Sequence, residues 1–238
     1  GRRPVRLQIR AGFTGPSSRN SGWAVVYRSP SLYCSATELP ITRSGGMPYM
    51  LPVTGRNAAA AAQIPNGCSL FINIGTTTEE VARALRGHEG LLCITNNIHV
   101  AGILLPSQRI DVIVAGGMLR RSDGGIVGEQ AVDFMSQFKV DYAVIGVSAI
   151  DDDGSLLDFD YREVRVAQAI IANARNVILV ADSMKFERTA PVRIGHLSEI
   201  NMFVTDRAPP EKIIEICRHS GTTVAVAPGA PMEESEPA

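Results

Sequence analysis

The stretch Leu70-Phe71-Ile72-Asn73-Ile74-Gly75-Thr76-Thr77-Thr78-Glu79-Glu80-Val81 decides how this chain is read. A short apolar run delivers a glycine, then hydroxyl-bearing residues, then an amphipathic segment. This is the order of a β-strand, a tight loop and a helix start. Gly75 lets the backbone approach a ligand closely. The free N–H groups of the helix start, with the threonine hydroxyls, form a pocket for an anion. Gly75, Thr76, Thr77 and Thr78 are therefore candidate phosphate-binding residues, and Thr77 with Glu80 has the spacing of a capping box. No GK[ST] follows, so the loop is not a nucleotide-hydrolysing P-loop.

The pattern repeats along the chain. Short runs rich in β-branched residues at 69–74, 91–95, 111–115, 142–147, 176–181, 201–205 and 222–227 read as strands. Helical segments lie between most of them, at 78–85, 97–105, 129–138, 163–174 and 210–219. Alternation of this kind predicts an α/β domain, a mostly parallel sheet covered by helices on both faces. Polar clusters fall at the ends of successive strands: Thr95-Asn96-Asn97, Gly116-Gly117, Asp123-Gly124-Gly125 and Gly146-Val147-Ser148. In open α/β sheets ligands bind outside the carboxyl ends of the strands, so these clusters outline a binding crevice. Lys185, just beyond the strand at 176–181, is placed to neutralise a phosphate. Asp151-Asp152-Asp153-Gly154 lacks the alternating acids and closing Glu of a calcium loop and reads as a solvated turn. His88, His99, His196 and His219 are scattered, and no Ser-His-Asp or Cys-His arrangement emerges, so neither a catalytic residue nor a metal or cofactor is expected.

Of the 238 residues 45% are hydrophobic and 20% charged, an ordinary globular composition. No apolar run approaches the roughly 18 residues that span a bilayer, and no signal-peptide core follows Gly1-Arg2-Arg3-Pro4. Cys34, Cys68, Cys93 and Cys217 form no CxxC pair, as expected of reduced thiols in a cytoplasmic protein. The net charge of −1 hides an asymmetry: residues 1–56 carry eight arginines, no lysine and one acid, Glu38. That basic bias suggests an anionic partner. Six prolines and the Ser/Gly/Arg mixture at 12–30 give this region no helical periodicity. Residues 229–238, with three glutamates and two prolines, read as a disordered acidic tail.

As a set, the run from Pro65 to Thr77, Thr95-Asn96-Asn97, Ala115-Gly116-Gly117, 123–129, 133–138, 154–161 and Asp182-Ser183-Met184-Lys185-Phe186 resembles the effector domain of DeoR-type transcriptional repressors. Asp-Gly-Gly and Leu-Leu-Asp-Phe-Asp-Tyr resemble the branch that responds to glycerol-3-phosphate. The resemblance covers about residues 60–227 and gives a sensor domain at 61–228. It implies a fold like ribose-5-phosphate isomerase and the CoA transferases, used for sensing. It also implies a homo-oligomer, commonly a tetramer, that releases operator DNA when a sugar phosphate binds. The implied site comprises Gly75, Thr76, Thr77, Thr78, Thr95, Asn96, Asn97, Gly116, Gly117, Ser148 and Lys185.

Family members begin with a winged helix-turn-helix carrying a Thr-(Ile or Val)-Arg-Arg-Asp signature and a following His-Gly-Gly-Ala. Neither stands here, and Ser44-Gly45-Gly46-Met47 is a faint echo. Residues 1–60 read as a basic segment in its place, the DNA-binding region replaced or read out of frame, and the DNA-reading residues stay unassigned. The alternative function is a sugar-phosphate isomerase or deaminase on the same fold. Asp151, Asp158, Asp160 and Glu163 are its nearby acids.

Overall fold

The computed structural model describes residues 49–50 and 55–227. The rest of the basic segment and the acidic tail lie outside the described residues. In chain order the elements are β1 (Tyr49–Met50), α1 (Arg56–Ala61), β2 (Ser69–Ile72), α2 (Thr76–Leu85), β3 (Leu91–Thr95), α3 (Ile98–Leu104) and β4 (Ile110–Val114). Then come β5 (Met118–Leu119), β6 (Ile126–Val127), α4 (Glu129–Met135), β7 (Val140–Ile145), β8 (Ala149–Ile150) and β9 (Ser155–Asp158). The chain continues through α5 (Tyr161–Ala172), β10 (Ala174–Val180), β11 (Val192–His196), β12 (Met202–Thr205), α6 (Glu211–Ser220) and β13 (Thr223–Val226).

Eight strands form one parallel sheet in the order β1-β13-β12-β10-β7-β2-β3-β4. Side chains alternate along each strand, and both faces are buried. Leu70, Ile72, Cys93, Tyr142, Val144, Ile178 and Val204 point to one layer, where they meet the apolar faces of α1, α2 and α3. Phe71, Ile94, Ala143, Ile145, Leu179 and Phe203 point to the other, against α4, α5 and α6. The seven strands read from sequence are strands of this sheet, shifted at their ends by a residue or two, and β1 is the eighth, which was not read.

Three features were not legible. α1 begins at Arg56, ahead of the boundary at residue 61, because an alanine run next to a proline-rich stretch carries little periodicity. Ala59, Ala60 and Ala61 are almost completely buried, which lets this helix lie close against its neighbours. β8, β9 and β11 make a small antiparallel sheet, and β5 pairs with β6 in a hairpin. The expected turn at Asp151-Asp152-Asp153-Gly154 connects β8 to β9, closed by the Gly154 N–H on Asp151 O at 2.9 Å.

Candidate functional site

The chain lays down β2 in the middle of the sheet, moves outward through β3 to β4, and returns to start the other half at β7. β2 and β7 are thus neighbours whose connections diverge, and a crevice opens where they end. A cavity of about 590 Å³ occupies it. Residues 74–77, after β2, form one side and residues 146–148, after β7, another. Arg120, Asp158, Asp160 and Glu163 form a charged wall, and Lys185 also faces in.

The loop after β2 is shaped to leave donors free. Gly75 holds φ 140° and ψ 149°, a conformation that L side chains rarely adopt. The Thr78 side chain is wholly buried beneath it, and its hydroxyl lies 2.8 Å from Asn73 O and 2.7 Å from Gly75 O. The expected Thr77/Glu80 capping box does not form: no side chain caps α2, and Glu80 pairs instead with Arg83 at 3.0 Å. The first-turn N–H groups have no carbonyl four residues back within the helix, so they face the crevice uncapped. They are ready to bind an anion, aided by the helix dipole.

Of the residues expected at the site, Gly75, Thr76, Thr77, Ser148 and Lys185 line this one cavity. Lys185 sits on a 3-10 turn, Ser183–Glu187, that Asp206 anchors through the Ser183 N–H at 2.7 Å. Phe186 packs edge-on to Phe203 with ring centroids 6.2 Å apart. The Lys185 ammonium has no ion pair or hydrogen bond among the described residues.

Thr95, Asn96 and Asn97 are buried, and they serve internal bonds beneath the cavity. The Thr95 hydroxyl donates to Ile72 O (2.7 Å), and Asn96 Nδ2 donates to Ile126 O (3.1 Å). Asn97 caps α3 by accepting the His99 N–H at 2.8 Å, and its Nδ2 donates to Glu79 Oε1 at 3.1 Å. This trio fastens the end of β3 to β2 and to the β5–β6 hairpin. Gly116 and Gly117 are exposed ahead of that hairpin, outside the cavity. The glycines of Asp-Gly-Gly have a packing reason: a Cβ on Gly125 would stand 2.5 Å from Ile74 Cδ1.

Sequence reasoning missed the centre of the charged wall. Arg120, at the end of β5, donates through Nε to Asp123 Oδ1 at 2.9 Å and through Nη1 to Asp160 Oδ2 at 3.0 Å. Its Nη2 reaches Asp123 and Glu163. Asp160 also accepts from Arg162 at 2.8 Å and caps α5 through the Arg162 N–H. The Arg162 bond, with that N–H and Arg120, holds the Asp160 carboxyl well below the usual carboxylate range. Glu163 goes the other way. Burial, then the neighbouring Asp158 charge, pushes its carboxyl up to about 7 despite Arg120. Asp158 accepts from the Ser148 hydroxyl at 2.9 Å and from the Phe159 N–H at 2.7 Å. The acids were visible in the sequence, but nothing local marks Arg120, which arrives from a two-residue strand.

Residues 57–207 match the DeoR C terminal sensor domain. The chain is 51% identical over 156 residues to the glycerol-3-phosphate regulon repressor of Escherichia coli K12, covering 66% of this chain and 62% of that protein. It is 50% identical over 169 residues to the Haemophilus influenzae protein of the same name, covering 71% and 66%. It is 45% identical over 152 residues to the HTH-type transcriptional repressor CsqR of Escherichia coli K12, covering 64% and 58%. The match thus spans less than two thirds of the length of these relatives. Among solved structures, eIF2B beta from Chaetomium thermophilum aligns with a TM-score of 0.49 at 15% identity over 71% of this chain and 53% of that one. Ribose 5-phosphate isomerase from Plasmodium falciparum aligns at 0.39 and 12% over 55% and 52%. Similarities that weak add nothing to the topology, which by itself defines the α/β class.

Proposed function

The chain belongs to the DeoR C-terminal sensor-domain family, and from that premise we propose that it senses a sugar phosphate, glycerol-3-phosphate, as the effector domain of a transcriptional repressor. The observation that carries this reading is the convergence of the uncapped α2 N-terminus and the unpaired Lys185 on one cavity at the switch point of the sheet. A phosphate dianion needs oriented N–H donors and a cation, and this corner supplies both. The high identity to two glycerol-3-phosphate regulon repressors supports the choice of effector.

In this reading the repressor is a cytoplasmic homo-oligomer, a tetramer, that holds operator DNA and releases it when the effector binds. Among the described residues no helix is long and apolar enough to cross a membrane. Effector binding shifts the equilibrium by the difference in its affinity for the DNA-bound and released states, typically about 1–3 kcal/mol. An isomerase would need a free general base at the sugar carbons. Asp160 and Glu163 are engaged by Arg120 while Asp158 keeps one oxygen free, so sensing over turnover is supported chiefly by the high identity to transcriptional repressors.

Thermal-shift titration with glycerol-3-phosphate, ribose-5-phosphate and fructose-1-phosphate tests the proposal. Glycerol-3-phosphate should raise the midpoint most at equal concentration. A larger shift with a pentose or hexose phosphate would remove the effector assignment and keep the sensor. No shift with any of them would remove both. A turnover assay with the same esters should detect no isomerised product.

A further inference from the structure

We infer that the acidic wall of the cavity selects the non-phosphate part of the effector, accepting phosphate monoesters that end in hydroxyl groups and rejecting those that end in a carboxylate or a second phosphate. The inference rests on the phosphate placement proposed above and adds a specificity determinant, Asp158.

The cavity holds five carboxylates against one arginine and one lysine. Such a lining is unexpected in a pocket for a dianion, unless different groups of the lining do different work. The positive groups open to a phosphate are the α2 N-terminus and Lys185. Among the described lining residues the only guanidinium is that of Arg120, which is already held by Asp123, Asp160 and Glu163, while Arg162 behind the lining is taken by Asp160.

Asp158 is the group aimed at the ligand from this wall. It is nine-tenths buried, at 9% exposure, yet lines the cavity. Its Oδ1 takes both of its hydrogen bonds, from Ser148 and the Phe159 N–H. Its Oδ2 has no donor among the described residues. An ionised carboxylate accepts and cannot donate, so a nearly buried, half-satisfied one is completed by a ligand hydroxyl. A ligand carboxylate in the same place brings no donor and adds a like charge where water is scarce. Burial of Glu163 beside Asp158, with the raised carboxyl it produces, shows that this wall already strains to hold its negative charge.

Two three-carbon phosphate monoesters separate the alternatives, because they share the phosphate and differ at the far end. Calorimetry should show glycerol-3-phosphate binding at least about tenfold tighter than 3-phosphoglycerate, a difference of about 1.4 kcal/mol. Asp158→Asn keeps an acceptor for Ser148 and Phe159 while turning the free oxygen into an N–H donor, so it should bring the two affinities together. Glu163→Gln, which removes charge from the same wall with a different packing role, should narrow the ratio in the same direction. Equal affinities in the unaltered protein, or a ratio unmoved in both folded variants, would overturn the inference and leave the phosphate site standing. If neither ester binds, the phosphate placement falls and takes this inference with it.

Discussion

The Arg120 guanidinium lies 3.0 Å from the carboxylate of Asp160, a contact that joins the β5–β6 hairpin to the start of α5 across 40 residues of chain. It is part of the tie of the acidic wall: one planar cation holds three carboxylates in place, each through a directed N–H.

Replacing that cation should be expensive. Arg120→Met fills similar space but leaves Asp123 and Glu163 without a counter-charge and Asp160 with Arg162 alone. Breaking a fully buried pair costs roughly 3–5 kcal/mol, and the 18% exposure of the Arg120 side chain moderates this to about 2–3 kcal/mol. Urea denaturation should show the loss as a lower midpoint with an unchanged slope. A variant as stable as the parent would mean that the acids find water or other partners.

Glu163 gives the domain a pH dependence of known sign. Its folded carboxyl titrates near 7 against an ordinary 4.5, so between those values the folded state binds the proton more tightly than the unfolded chain. The resulting stabilisation is fully present below about pH 4.5 and is lost as the pH rises to 7. Glu163→Gln, which keeps an acceptor for Arg120 and cannot ionise, removes this term. The stability of the parent relative to the variant should therefore fall across that window, by about 3 kcal/mol, and level off above it. A flat difference curve measured by denaturant melts at several pH values would refute the burial argument.

Gly75→Ala tests the loop. The added methyl has room, since its nearest neighbour, Thr78 Oγ1, is 3.6 Å away. The cost is instead conformational, because φ 140° and ψ 149° belong to a region almost confined to glycine, worth about 1–3 kcal/mol. The loop should relax, re-aim the first N–H groups of α2 and weaken binding of glycerol-3-phosphate by more than about tenfold. Calorimetry showing unchanged affinity would take this loop out of the site.

Lys185→Ala should separate binding from folding. The side chain makes no ion pair among the described residues, and its turn is held by Asp206 and by the Phe186–Phe203 contact. The melting midpoint without ligand should move little. Affinity for the phosphate ester should drop by about tenfold or more, and the loss should shrink as salt screens the charge.

How far the sequence could be read follows from where the information lies. The parallel strands are apolar on both faces, so runs such as Leu91–Thr95 stand out and match the structure to the residue. The hairpins and the small antiparallel sheet are two to five residues long, and their pairing depends on partners far along the chain. Within the site, Gly75 and Lys185 carry a local signal: a glycine before a helix, a lysine after a strand. Thr95, Asn96 and Asn97 carry the same kind of signal but turn inward, because β3 is one strand away from the switch point and its polar end must be satisfied by Ile72, Ile126 and Glu79. Arg120 carries little local signal, since beyond Asp123, three residues on, its partners Asp160 and Glu163 are brought to it only by the fold.

The seam between β2 and β7 also orders the way this domain forms and comes apart. Apart from β1, which pairs with β13 at the edge, each half of the sheet is built from strands that follow one another along the chain, whereas the join pairs Leu70 with Tyr142 and Ser69 with Asp141, 72 residues apart. Closing that long loop is entropically demanding, so the halves are expected to gain structure before they dock. The cavity straddles the seam, with residues 74–77 on one half and 146–148 on the other. A molecule bound there rivets the two halves together, and it should slow the unfolding reaction far more than it speeds refolding.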